Sequence, residues 1–155
     1  MMTEASVPLG EHLYDQRAYL SRFTEYGASF QELTSGQIAT PPEGARFDLA
    51  FEGSIKGEKL KGAIAGVDFA EVRTDGRLHS HVHAEITTDD GAKISVFADG
   101  VLTLPEDGTA VAPLRYDVWL ATFSPRYSWV NKLQVWVCGG VDLNSGEIGV
   151  TAYAA

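Results

Sequence analysis

Three of the four histidines fall within one nine-residue stretch, Leu78-His79-Ser80-His81-Val82-His83-Ala84-Glu85-Ile86. On a strand, His79, His81, His83 and Glu85 share one face, and Leu78, Val82, Ala84 and Ile86 share the other. Imidazoles at i and i+2 lie close enough to hold a divalent metal or one ligand between them. The same row also fits the polar wall of a ligand cavity, or the water-facing side of a half-buried strand.

Asp68 stands between Val67 and Phe69 in a strand-like run. Either it alternates outward to water, or it is a carboxylate inside an apolar interior. In the second case desolvation raises its pKa and suits it to general acid or base work. The segment Thr122-Phe123-Ser124-Pro125-Arg126-Tyr127-Ser128-Trp129-Val130-Asn131 concentrates further polar chemistry. Arg126 offers a planar donor fork for a carboxylate or an enolate-like oxygen. Tyr127 and Trp129 combine apolar bodies with a polar handle, and Asn131 both donates and accepts. These four line a pocket mouth, or they form a turn with an Arg–Asp pair and two core aromatics. Tyr116, in the run Leu114–Phe123, is added to the ligand-facing aromatics. Cys138, the single cysteine, reads as a small buried hydrophobe.

The spacing His79-x-His81-x3-Glu85-x5-Gly91 resembles the first half of the cupin metal motif. Cupins add a histidine on a later strand, whereas no histidine follows His83 here. Adjacent ligands on one straight strand enclose a metal poorly, so the expectation is no metal and no cofactor. Glycine-rich phosphate loops, nucleophile elbows and kinase signatures are absent from the sequence.

The elements that must position these residues follow from periodicity. From Arg46 onward apolar residues alternate, beginning with Phe47, Leu49 and Phe51. Strand-like runs follow at Leu60–Phe69, Leu78–Thr87, Ala92–Phe97, Leu114–Phe123, Ser128–Cys138 and Glu147–Tyr153. The turn signals Asp75-Gly76, Asp90-Gly91, Asp99-Gly100, Asp107-Gly108 and Asn144-Ser145-Gly146 separate them. Short strands without intervening helical periods predict an all-β, closed or nearly closed antiparallel barrel over residues 45–155. Before it, Leu9, Leu13, Leu20 and Phe23 recur at helical spacing, so residues 1–44 read as a helical extension. Pro41-Pro42 ends it.

The chain's 155 residues suffice for one domain with its own core. A formal charge of −9 disfavours nucleic acid and anionic membranes as partners. Without a signal-like or membrane-spanning apolar run, the expected compartment is the cytoplasm.

The span Gly57–Tyr153 resembles a family of small bacterial β-barrel proteins known as a domain of unknown function. The matching pieces are Gly57-x4-Gly62, Gly66-x-Asp68-Phe69, Asp75-Gly76, Thr88-Asp89-Asp90-Gly91-Ala92-x-Ile94 and Phe123-x-x-Arg126-Tyr127-x-Trp129-Val130-Asn131. The resemblance implies a calycin-like or allene-oxide-cyclase-like barrel that commonly self-associates, and it implies no particular activity. In two places the chain departs from the family pattern. Phe69 replaces a usual Trp, and the histidine-bearing strand usually carries Asp and Arg.

These readings lead to a cofactor-free isomerase, cyclase or lyase acting on a small apolar carbonyl or hydroxyl compound. Asp68, His81, His83 and Arg126 are its candidate catalytic residues, and Tyr116, Tyr127, Trp129 and Asn131 its candidate ligand contacts. A passive carrier of an apolar metabolite is the rival reading, with all three histidines outside. A cupin-like metal enzyme is the third. Tyr14, Tyr19, Tyr26, Phe23 and Phe30 crowd the N-terminal segment and point to a homodimer.

Overall fold

Alternation along Ala45–Lys56 sends Phe47, Leu49 and Phe51 to one side, where they are almost wholly buried. The same period-two logic builds eight strands, seen in a computed structural model that describes residues 10–105 and 110–155. They are β1 (Glu11–Glu25), β2 (Ala45–Lys56), β3 (Lys61–Val72), β4 (Arg77–Thr88), β5 (Lys93–Thr103), β6 (Val111–Ala121), β7 (Val135–Asp142) and β8 (Glu147–Ala154). Each pairs antiparallel with its neighbour in sequence, and β8 pairs back onto β1 to close the barrel. Eight strands leave an interior just wide enough for side chains to fill. Hairpins at Asp75-Gly76 and Asp90-Gly91 turn on glycines with φ of +86° and +90°, as the sequence predicts.

The N-terminal reading is corrected. Residues 11–25 form not a helix but β1, a full stave between β2 and β8. Its inward row is Tyr14, Gln16, Ala18 and Leu20, so a glutamine and an alanine blur the apolar alternation. Register shifts between His12 and Tyr14, and between Leu20 and Arg22, then move the phase. Leu13, Leu20 and Phe23 therefore fall at helical intervals without being helical. Leu9 lies outside the described residues. The helical segment that does exist is the single turn α1, Phe30–Thr34, whose Ser29 hydroxyl accepts the Glu32 N–H at 3.2 Å. Among the described residues the barrel thus begins at Glu11.

Two smaller expectations also change. Asp99-Gly100 lies inside β5 rather than in a turn. The first part of Ser128–Cys138 belongs to a 3₁₀ helix, Pro125–Lys132, with Pro125 at its start. Asp107-Gly108 falls outside the described residues.

Side chains pack into both barrel ends. Phe30 and Leu33 of α1 are buried at one end, with Phe30 edge-on to Phe47 at 5.1 Å. Val130 of the 3₁₀ helix is fully buried at the other. The wall between β5 and β6 is paired over only part of its length. Pairing of β4 with β5 runs out to Thr103 and pairing of β6 with β7 begins at Val111, but β5 and β6 pair only as far as Gly100 and Tyr116.

Of the N-terminal aromatics, Tyr14 and Phe30 are core residues, while Tyr19, Phe23 and Tyr26 are exposed on the outer face. Tyr19 and Tyr26 donate to Glu52 and Asp48, which ties them to β2. No helix among the described residues is long and apolar enough to cross a membrane.

Candidate functional site

Asp68 points into the barrel. Alternation along β3 turns Ile64, Asp68 and Ala70 to the interior, and Asp68 is only 8% exposed. The β3–β4 ladder is interrupted beside it, between the pairs Asp68–Val82 and Glu71–His79. There the His81 N–H donates to Asp68 Oδ1 at 3.1 Å. Burial pushes the Asp68 carboxyl up to about 6, against the opposing influence of the Ser80 hydroxyl, the His81 N–H and the nearby His81 ring.

Tyr116 and Ser80 complete the polar layer. Burial and the Asp68 charge together raise the Tyr116 phenol, so it stays protonated across the physiological range. Ser80 Oγ is buried and has no hydrogen-bond partner among the described residues, although it faces both the carboxyl and the phenol closely enough to influence each. An unsatisfied hydroxyl at this depth is costly unless something else uses it.

This layer divides two small cavities. One, of about 60 Å³, is lined by Tyr14, Gln16, Val82, Ala84 and Ala98. The other, of about 40 Å³, lies toward α1 against Phe30, Leu49, Leu78 and Ser80. Asp68 and Tyr116 border both. The space exists because the inward positions here are small. Ala84 and Ala98 leave room, and Gly66 sits so close to Ala84 that any side chain there would press on it. A neutral phenol, a hydroxyl and a carboxylate of raised pKa then face a chiefly aliphatic lumen. That set can accept a proton and donate hydrogen bonds to an oxygen on the same small molecule.

The histidine row lies elsewhere. Leu78, Ser80, Val82, Ala84 and Ile86 face inward, which puts His79, His81, His83 and Glu85 on the outer wall. His81 Nδ1 meets Asp99 Oδ1 at 2.5 Å, and His79 lies against the His81 ring. His83 packs edge-on between Phe69 and Phe97, at 5.5 and 4.7 Å. Glu85 accepts from Lys93 Nζ at 3.2 Å. The expectation that His81 and His83 join Asp68 in a site is therefore corrected. So is the cupin-like grouping, since among the described residues no three His, Cys, Asp or Glu side chains gather as a metal ion requires. Phe69 and the histidines, the two departures from the family pattern, meet on this outer wall and not in the lumen.

Arg126, Tyr127, Trp129 and Asn131 form a lock at the plugged end. Arg126 pairs with Asp90 in the β4–β5 turn, and the Tyr127 hydroxyl donates to Asp90 Oδ1 at 2.8 Å. The Thr88 hydroxyl, with Tyr127 and Arg126, holds the Asp90 carboxyl down at about 2. Asn131 clamps the Thr122 backbone, accepting its N–H at 2.8 Å and donating to its carbonyl at 2.9 Å. Trp129 is half-buried against the core. Asp68 is inside the wall and Arg126 outside, so the pairing of these two across one substrate is overturned on geometry. Of the candidate residues, the structure brings Asp68 and Tyr116 together. Ser80 was missed, yet its signal was present: it is the one polar residue in the apolar row of β4 before Thr88.

The comparisons agree with this architecture. A curated relative, a UPF0311 protein of Clostridium acetobutylicum, is 29% identical over 99 residues, covering 56% of this chain and 62% of that protein. The match thus spans less than two thirds of the relative's length. The crystal structure of a beta-barrel like protein from Acinetobacter baumannii superposes with a TM-score of 0.72 at 22% identity, covering 98% of this chain and 99% of that one. The structure of an enzyme from Penicillium herquei superposes at 0.61 with 20% identity, covering 97% and 99%. At such identities these structures establish the fold alone. Residues 33–155 match the family model described as "Protein of unknown function (DUF3237)", and with most of its barrel inside that match, the chain belongs to this family of unknown function.

Proposed function

We propose that the chain binds a small, mostly apolar carbonyl or hydroxyl compound in its lumen and moves a proton on it with Asp68. The observation that carries this reading is the carboxyl buried between two cavities beside a protonated phenol and an unpartnered hydroxyl. At neutral pH a carboxyl near 6 is largely ionised and ready to accept a proton. Tyr116 and Ser80 take the oxygen-facing role that the sequence assigned to Arg126. Carbon acidity next to a carbonyl suits the arrangement. Asp68 removes the α-proton, the electron pair moves onto the oxygen, and Tyr116 hydrogen-bonds the resulting enolate. Returning the proton to another atom gives isomerisation, and expelling a leaving group or closing a ring gives elimination or cyclisation. None of these changes oxidation state overall, so none calls for a redox cofactor. The likeness to an enzyme from Penicillium herquei is compatible with catalysis on this fold and transfers no residue role.

Deuterium wash-in at the α-carbons of cyclopentanone, followed by NMR in D₂O, tests the chemistry without knowledge of the natural substrate. Wild-type protein should accelerate exchange, and Asp68→Asn should lose about a hundredfold or more of that acceleration. No acceleration by the wild type, or an unchanged rate in the variant, overturns the reading.

A carrier is the second reading, favoured by the aliphatic lining of Ile64, Val82, Val96, Val118 and Val150 and by the outward histidines. It expects ligand binding in the wild type with no exchange. The homodimer expected from the sequence now rests on the exposed Tyr19, Phe23 and Tyr26. Light scattering at micromolar concentration should give twice the monomer mass, with Phe23→Ala lowering it; a wild-type monomer ends that proposal.

A further inference from the structure

The lumenal reading leaves an access problem. Cavities of about 60 and 40 Å³ are smaller than the roughly 150 Å³ that holds a benzene ring. The barrel ends are filled by Phe30 and Leu33 on one side and Val130 on the other. A substrate must therefore displace something.

The wall between β5 and β6 is where displacement is easiest, because among the described residues these strands pair no further than Gly100 and Tyr116. Against that gap lies an outer cleft of about 620 Å³, inside the range of about 300–1,000 Å³ typical of small-molecule sites. Val101, Pro113, Arg115, Trp136 and Cys138 line it, together with Tyr116. Among the described residues Tyr116 alone borders this cleft and both lumenal cavities. Its ring lies over Gly100, where any Cβ would overlap the Cδ1 and Cε1 carbons. Gly100, which looks like a turn residue in the sequence, is in the structure the seat of an aromatic side chain.

We propose that the lumen is loaded sideways, with the cleft as vestibule and Tyr116 as gate. A neutral, cyclic or aromatic molecule carrying one carbonyl or hydroxyl rests against Trp136 and passes between β5 and β6 when the Tyr116 ring leaves Gly100. The class follows from the lining: a flat indole and a flat phenol offer stacking area. Asp99 and Asp117 at the cleft, in a chain of net charge −9, disfavour an anion. One swing of the ring joins both cavities to the cleft and brings the molecule's oxygen toward Asp68 and Ser80. This inference rests on the lumenal site proposed above and adds its route and its gatekeeper.

Cys138 supplies the probe, since it lies in the cleft and is the only thiol. The experiment follows 2-naphthol fluorescence by stopped flow on the full chain, before and after alkylation of Cys138 with biotin-maleimide. Filling the vestibule should slow both association and dissociation at least about tenfold while changing the equilibrium affinity little, because the gate acts on rates. Cys138→Ala treated identically should keep the untreated rates, and Tyr116→Ala should accelerate both. Unchanged rates after alkylation, with Phe30→Ala accelerating exchange instead, overturn the lateral route and place entry at the α1 end. Failure of the lumenal reading looks different. In that case alkylation abolishes binding outright, while the lumen-filling Ala98→Leu, with Asp68→Asn as a second variant, leaves the affinity untouched. Absence of 2-naphthol binding overturns both.

Discussion

Two carboxylates in this barrel have almost the same companions and opposite properties. Asp90 meets a tyrosine, a threonine hydroxyl and an arginine, and its carboxyl is held down at about 2. Asp68 has a tyrosine, a serine hydroxyl and a backbone N–H nearby, and its carboxyl is pushed up to about 6. The difference lies in cation and water. Asp90 is bonded by donors and neutralised by a guanidinium at the barrel's rim, so its charge is stabilised and its geometry closed. Asp68 is wrapped in aliphatic side chains, it accepts a hydrogen bond from a backbone amide, and among the described residues the hydroxyl beside it lacks a well-formed partner. A saturated carboxylate holds a turn in place. An unsaturated one beside empty space has bonding capacity left for a ligand.

Replacing Asp68 by Asn should sharpen this contrast most. The amide oxygen keeps the His81 N–H bond and removes the buried charge. A native carboxyl near 6 against an ordinary unfolded value of 3.8 means that the folded state holds the proton more tightly. Stability of the wild type therefore falls as pH rises from about 4 to about 6, then stays level. Asp68→Asn should be more stable than the wild type at pH 8 by up to about 3 kcal/mol, a gap that closes below about pH 4. Urea titrations at pH 4 and pH 8 measure both ends. Equal stabilities at pH 8 would mean that the carboxyl is not desolvated.

Asn131→Ala probes the lock instead. Removing the clamp leaves the part-buried Thr122 N–H and carbonyl unpaired, for an expected loss of about 1–3 kcal/mol. The loss should be the same at pH 5 and pH 8, because no titrating group takes part. Any pH-dependent loss would contradict the separation of the two regions.

Arg126→Ala breaks an exposed pair and should cost no more than about 1 kcal/mol. More telling, it should leave ketone exchange unaltered. A large fall in exchange would return Arg126 to the chemistry and undo the comparison. The smallest effect belongs to Asp90→Asn. A depressed carboxyl contributes stability that is complete above about pH 4 and disappears as pH falls through about 2. The variant should therefore flatten the acid limb of the wild-type stability curve in that window, as a Tm series between pH 2 and pH 5 would show.

How much of this was legible varies residue by residue. Asp68 was conspicuous as a charge among apolar neighbours, and Tyr116 sits two residues from the inward Leu114 and Val118. Arg126, Tyr127 and Asn131 were equally conspicuous, since a structural lock and a binding site draw on the same polar residue types. Their partners, Asp90 and the Thr122 backbone, lie 36 and 9 residues away in sequence. No local pattern connects them.

The sequence by itself determined β2, β3, β4, β6 and β8 in outline, the hairpins at Asp75-Gly76 and Asp90-Gly91, and the sets of residues that share a face, because period two and glycine-tolerant turns are properties of neighbouring residues. Tertiary structure alone decided which face of β4 turns inward, since a strand's period is symmetric and only its register against β3 and β5 tells lumen from solvent. Closure likewise drew residues 11–25 into the wall as β1. Two free edges, β2 and β8, had to be paired, and that requirement outweighed a weak helical spacing.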